Sequence, residues 1–83
     1  MIKKINEKDL KKIFSKVLKI NNDKISDKLS MNSYSKWDSL NHLKLIIALE
    51  GKFKISFKES DVPKMVSFRL IKLNIKKLGF KIL

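Results

Sequence analysis

A chain of 83 residues makes one small domain, and it buries only about 60–65% of its unfolded surface, so it holds one thin core and no second lobe or deep cleft. The 43% hydrophobic content supplies that core, two glycines and one proline are too few for a many-stranded sheet, and the lack of cysteine excludes disulfides and a protein-borne thiol nucleophile. Twenty basic residues against eight acidic ones give a net charge of +12, which points first to nucleic acid or an anionic membrane, yet Arg69 alone is arginine, the residue on which phosphate-fork and base-edge recognition leans.

The opening residues, Met1-Ile2-Lys3-Lys4-Ile5-Asn6-Glu7, are charged but have no apolar run behind them, so they do not read as a signal peptide. From Glu7 the pattern turns helical: Leu10, Ile13, Phe14, Val17 and Leu18 fall on one face, with lysines between them. Asn6 is placed to cap this helix, Glu7 and Asp9 suit its positive end, and Asn21-Asn22-Asp23 is expected to end it. A long connection follows to Asp38, polar but carrying Ile25, Leu29, Met31, Tyr34 and Trp37 as spaced apolar anchors, with a short helical turn expected near Ser26–Leu29.

Asp38 or Ser39 caps a second helix, expected to run to about Lys52. His42, Leu45, Ile46, Leu49 and Phe53 make a stripe that faces the core. Leu40, Lys44, Ile47 and Gly51 point roughly the other way, and apolar surface beyond what a core needs marks a binding face. Within this helix lies the longest purely apolar run, Leu45 to Leu49, far short of the roughly 20 residues that span a bilayer, so a cytoplasmic protein without a membrane partner is expected.

Lys54-Ile55-Ser56-Phe57 is too short to assign as a strand. A brief third helix is expected over Asp61–Met65, with Pro63 in its first turn. Ser67 caps a last helix bearing Phe68, Ile71, Ile75 and Leu78, Gly79 stops it, and Phe80, Ile82 and Leu83 follow as an apolar stretch. The expected core is Leu10, Ile13, Phe14, Val17, Leu43, Ile46, Leu49, Phe53, Phe68, Ile71 and Ile75. The fold class is all-α: three main helices and a short one, with a long first loop.

The residues that carry chemistry are Trp37-Asp38-Ser39-Leu40, followed by Leu43, Ile46, Ala48-Leu49-Glu50 and Phe53. An Asp-Ser-Leu triplet gains specificity from its setting, with the serine opening a helix after a long anchored loop. Phosphate is favoured at a helix start by the dipole and by unpaired amides. Asp38, Ser39 and His42 do not make a catalytic triad, since near neighbours in sequence lack the separated base and orienting group, and His42 on the core face reads as structural. No Gly-rich phosphate loop or clustered metal-ligand set is present.

Over nearly its whole length the chain resembles the acyl carrier protein family, most specifically from Asp38-Ser39-Leu40 to Phe53. The resemblance implies a small four-helix bundle with a short third helix, forming a monomeric carrier and not an enzyme. It implies that a phosphopantetheinyl transferase moves 4′-phosphopantetheine from coenzyme A to Ser39, whose arm then holds acyl or aminoacyl groups as thioesters. Asp38 is implied to position the serine in a magnesium-assisted transfer, Leu40 and Ile47 to meet acyl-loading and acyl-using enzymes, and Ile46 and Leu49 to line a core that shelters the acyl group.

The chain departs from the family in charge. Members are usually acidic on the second helix, whereas this one carries Lys44 and Lys52 with Glu50 as its only acid, and Gly51 stands at a usually acidic position. Lys36-Trp37 replaces the glycine that many members have before the motif, and Trp-Asp-Ser-Leu is more similar to carriers of specialised pathways such as surface polysaccharide or secondary metabolite synthesis. Partners with acidic docking patches, met by Lys44 between Leu40 and Ile47, are the expectation. The competing reading is a basic helical module that binds nucleic acid or a partner helix, with affinity that falls steeply with salt and no covalent modification.

Overall fold

The computed structural model describes residues 3–83, so Met1 and Ile2, and the part of the opening segment they form, lie outside the described residues. Strand β1 (Lys3–Ile5) leads into helix α1 (Glu7–Leu18). A 3-10 turn at Asn22–Lys24 opens the long connection to helix α2 (Ser39–Phe53). A second 3-10 turn at Val62–Lys64 precedes helix α3 (Phe68–Lys77), and strand β2 (Phe80–Ile82) follows.

Each helix forms where an apolar face can be buried. Leu10, Phe14 and Leu18 from α1, Leu45 and Leu49 from α2, and Phe68, Ile71 and Ile75 from α3 are all buried. Phe14 is the hinge of this core, meeting Phe68 edge-on with ring centroids 4.9 Å apart and Trp37 edge-on at 5.6 Å. The long connection lies over the core through buried Ile25, Leu29 and Trp37. Its Tyr34 hydroxyl donates to the carbonyls of Leu18 (2.9 Å) and Lys19 (3.1 Å), satisfying acceptors that the end of α1 leaves open. Ser30 and Ser67 bridge the connection to the start of α3, with the Met31 amide donating to Val66 and the Phe68 amide to Leu29.

The helical architecture follows the expectation, with four differences. Three α-helices are described, and the expected fourth, over Asp61–Met65, is a single 3-10 turn: Pro63 donates no amide and the segment is too short to propagate. The chain is not purely α-helical, because β1 and β2 pair in parallel, Lys3 with Phe80 and Ile5 with Ile82. This pairing gives the apolar stretch after Gly79 (φ 97°) a place to go, and the Leu83 carbonyl accepts from the Glu7 amide at 2.9 Å, satisfying a donor at the start of α1. Helix α1 ends at Lys19, which adopts a left-handed conformation (φ 54°), before the Asn21-Asn22-Asp23 run. The turn expected at Ser26–Leu29 is a single hydrogen-bonded turn, the Leu29 amide donating to the Ser26 carbonyl at 3.0 Å, and a 3-10 turn that the pattern did not announce precedes it at Asn22–Lys24.

The expected caps divide in the same way. Asp38 and Ser67 accept from the amides of Asn41 and Leu70, whereas the Asn6 side chain makes no capping bond and only its carbonyl serves α1. Ile13, Val17 and Phe53 pack against the core half-buried. Leu43 is not in the core: it is 54% exposed. At 3.6 residues per turn it shares the outward face of α2 with Leu40 and Ile47. No helix among the described residues is long and apolar enough to cross a membrane.

One ion cluster ties the ends of the fold together. Lys72 of α3 reaches Glu7 at the start of α1 (2.8 Å) and Asp27 in the long connection (2.7 Å). The hydrogen bond from Lys72 holds the Asp27 carboxyl below its ordinary value. Partial burial pulls the Lys72 ammonium down, but its bonds to Asp27 and Glu7 outweigh this and leave it raised. Asp27, with its pKa depressed, therefore adds stability that is present above the unfolded-state value near 3.8 and is lost as pH falls through the folded value. Asp27→Asn should lower the melting temperature slightly at pH 7 and make no difference below the folded value; the shift is small because the side chain is 56% exposed. Melting curves of both proteins from pH 2 to 7 should converge on the acid side.

Candidate functional site

The site is built outward from Trp37, the last buried residue of the long connection. Its indole N–H is a donor with no acceptor capacity, so a buried tryptophan requires an acceptor nearby. The Nδ1 atom of His42 provides it at 3.0 Å. With Nδ1 accepting, the ring carries its proton on Nε2, which donates to the Val62 carbonyl at 2.8 Å. The connection, the first turn of α2 and the 3-10 turn at Val62–Lys64 are thus joined through one side-chain chain. Both nitrogens of His42 are committed, and the side chain is 5% exposed, which leaves no free base beside Ser39.

Asp38 follows Trp37 in an extended conformation, and its Oδ1 accepts from the Asn41 amide at 2.8 Å. The Asp38 carbonyl accepts from the His42 amide at 2.8 Å, the first hydrogen bond of α2. Asn41 turns back to donate from Nδ2 to the Lys36 carbonyl at 2.7 Å, closing the helix start against the loop. Ser39 is the first residue of α2 and is exposed, as is Asp38 itself. The amides of Ser39 and Leu40 precede the first bond of the helix ladder, so a negative group on the Ser39 hydroxyl would meet the positive end of the helix.

An open groove of about 340 Å³ begins beside Ser39, lined by Met31, His42, Leu43, Val62, Pro63 and Val66. Leu43, Val62 and Pro63 also border a second opening of about 520 Å³ that continues along α2 past Ile46, Ile47 and Glu50. The donor set fits a slender phosphate-linked arm: a reachable hydroxyl, a helix start and an uncharged apolar trough next to it. On the outward face of α2, Leu40 is 63% and Ile47 68% exposed, with Lys44 exposed between them. Among the described residues no group of His, Asp or Glu is gathered to hold a metal ion.

Asp38, Ser39, Leu40, Lys44 and Ile47, the residues singled out in the sequence, therefore lie together at the start and along one side of α2. The groove lining was not read from the sequence, since Met31, Val62, Pro63 and Val66 reach Ser39 only through the fold. Leu43 was legible in principle, because it stands three residues from Leu40 and four from Ile47.

No model of a known protein family matches the chain. A curated protein of Buchnera aphidicola subsp. Schizaphis graminum (strain Sg) named "Acyl carrier protein" is similar to it, with 39% identity over 59 residues, covering 71% of this chain and 75% of that protein.

The Asp38 cap sets where α2 begins. Asp38→Ala should destabilise the domain by about 0.5–2 kcal/mol, the usual cost of losing a side-chain cap, and Asp38→Asn should recover most of it. Urea denaturation of the three proteins measures this directly, and equal midpoints for Asp38→Ala and wild type would show that the cap does not hold the helix start.

Proposed function

This chain belongs to the acyl carrier protein family, and from that premise we propose that it is a single carrier domain, not an enzyme, whose Ser39 bears a 4′-phosphopantetheine arm. The observation that carries this reading is Ser39 exposed at the first position of α2, beside an apolar groove and held there by the Asp38 cap. When attached, the arm supplies the thiol that a cysteine-free chain lacks, and on it acyl or aminoacyl groups ride as thioesters.

The chain's own residues present and orient. The Ser39 hydroxyl is offered to a phosphopantetheinyl transferase and coenzyme A; its oxygen forms the bond to phosphorus and gives up its proton, and 3′,5′-ADP leaves. Asp38 fixes the backbone from which that hydroxyl projects. Unpaired amides at the start of α2 favour the phosphodiester's negative charge. The groove beside Ser39, lined by Leu43, Val62 and Pro63, gives a small acyl group apolar contact, and buried Ile46 and Leu49 belong to the core that shelters it. Leu40 and Ile47 meet the acyl-loading and acyl-using enzymes, and Lys44 turns toward acidic groups on them. These enzymes belong to a fatty-acid, polysaccharide or specialised-metabolite pathway of the cytoplasm, where the carrier acts as a monomer.

Intact-mass spectrometry after incubation with a broad-specificity transferase and coenzyme A tests this reading. Wild type should gain the mass of one phosphopantetheine group, and Ser39→Ala should gain none. A wild-type chain that stays unmodified with several such transferases, or a Ser39→Ala chain that still gains the mass, would overturn it.

A further inference from the structure

The charge around α2 is divided by side. Between α1 and α2 runs an open cleft of about 600 Å³, with Ile13, Val17 and Ala48 half-buried along its floor. Its rim carries Lys16 and Lys19 from α1 and its end, Lys36 from the end of the long connection and Lys44 from the outer side of α2. All four lysines are exposed, and no carboxylate lines the cleft. None of the ion pairs among the described residues involves them; those pairs are made by Lys11 and Lys72 with Glu7 and Asp27. Across α2 neither the groove beside Ser39 nor the opening that adjoins it is lined by a lysine, and the adjoining one is bordered by Glu50 and Glu59.

An unneutralised ring of four cations above an apolar floor has a matching occupant. Exposed lysines around one cleft repel one another, and an incoming carboxylate relieves that repulsion while steering its bearer into place. A nucleic acid backbone would satisfy the lysines but would leave Ile13, Val17 and Ala48 facing phosphate and sugar, and the rim has no arginine for a phosphate fork. An amphipathic protein segment satisfies both parts, with its apolar residue on the floor and its acids against the rim.

We infer that the α1–α2 cleft is a docking site for an acidic amphipathic helix of the partner enzyme. The inference rests on the carrier reading and deepens it by naming the chemistry of the partner. Docking there grips the carrier from the cationic side of α2 and leaves the uncharged groove beside Ser39 free for the arm and its load. Lys44 belongs to both surfaces, so the contact along Leu40 and Ile47 would be continuous with the cleft.

The test uses a synthetic amphipathic helical peptide with a leucine face and glutamates elsewhere, the same peptide with glutamine in place of glutamate, and a short DNA duplex. Each is titrated into ¹⁵N-labelled full-length chain. The glutamate peptide should shift amide resonances of Ile13, Lys16, Val17 and Ala48, and the glutamine peptide should bind at least tenfold more weakly. Lys16→Glu combined with Lys44→Glu should weaken the glutamate peptide at least tenfold, and added salt should narrow that difference. Shifts confined to other surfaces, equal binding of the two peptides, or tighter binding of DNA in the cleft would overturn the inference. Mass gain on wild-type Ser39, measured on the same preparation, separates the two claims: a chain that is modified but ignores the glutamate peptide loses the cleft and keeps the carrier reading.

Discussion

The hydrogen bond from the Trp37 indole to His42 is the contact on which the geometry of the site depends. A tryptophan buried to this degree makes large apolar contact, here edge-on with Phe14, but it also brings one donor that must be satisfied inside. His42 can accept only with Nδ1 bare, and that tautomer points Nε2–H at the Val62 carbonyl. One polar requirement therefore fixes the end of the long connection, the rotation of α2 and the position of the Val62–Lys64 turn. Once His42 faces inward, the helical period places Leu45, Ile46 and Leu49 in the core, turns Leu40, Leu43 and Ile47 outward, and leaves Ser39 at the exposed start.

Where the sequence was legible, local chemistry and tertiary need agreed. Ser67, and Asp38 as one of two candidates with Ser39, were placed as caps because their oxygens can serve an amide two or three residues on, and Gly79 was placed as a stop because a positive φ suits glycine. The two faces of α2 followed from its period, and His42 was read as structural because it shares a stripe with Leu45 and Leu49. Misreadings arose where packing decided. Leu43 was assigned to the core against its own helical phase and is exposed. Strands β1 and β2 have three residues each, too few for a period-2 signal, and their pairing joins distant parts of the chain. Lys19 takes a left-handed conformation at the end of α1, where Tyr34 binds the Leu18 and Lys19 carbonyls and Ser15 that of Ile20, contacts that no pattern within the helix announces.

The net charge of +12 has a different meaning once the fold is known. As a total it suggested polyanions. As a distribution, lysines line the α1–α2 cleft, while the groove beside Ser39 is uncharged and the opening that adjoins it is bordered by glutamate. The cationic rim and the uncharged apolar groove are thus kept on opposite sides of one helix. Carrier encounters must be fast and reversible, and complementary charge raises on-rate and excludes wrong partners more than it deepens affinity. A basic carrier in a family that is usually acidic would in this way be insulated from enzymes that present basic docking patches.

The claim that the Trp37–His42–Val62 chain sets the site is most directly tested by the ring nitrogens of His42 in a long-range ¹H–¹⁵N spectrum at pH 7. The structure predicts a protonated Nε2, an unprotonated Nδ1 shifted by an accepted hydrogen bond, and a Trp37 indole proton protected from exchange with solvent. A proton on Nδ1, an average of the two tautomers, or a freely exchanging Trp37 indole would contradict it, and the start of α2 would then have to be held by the Asp38 cap alone.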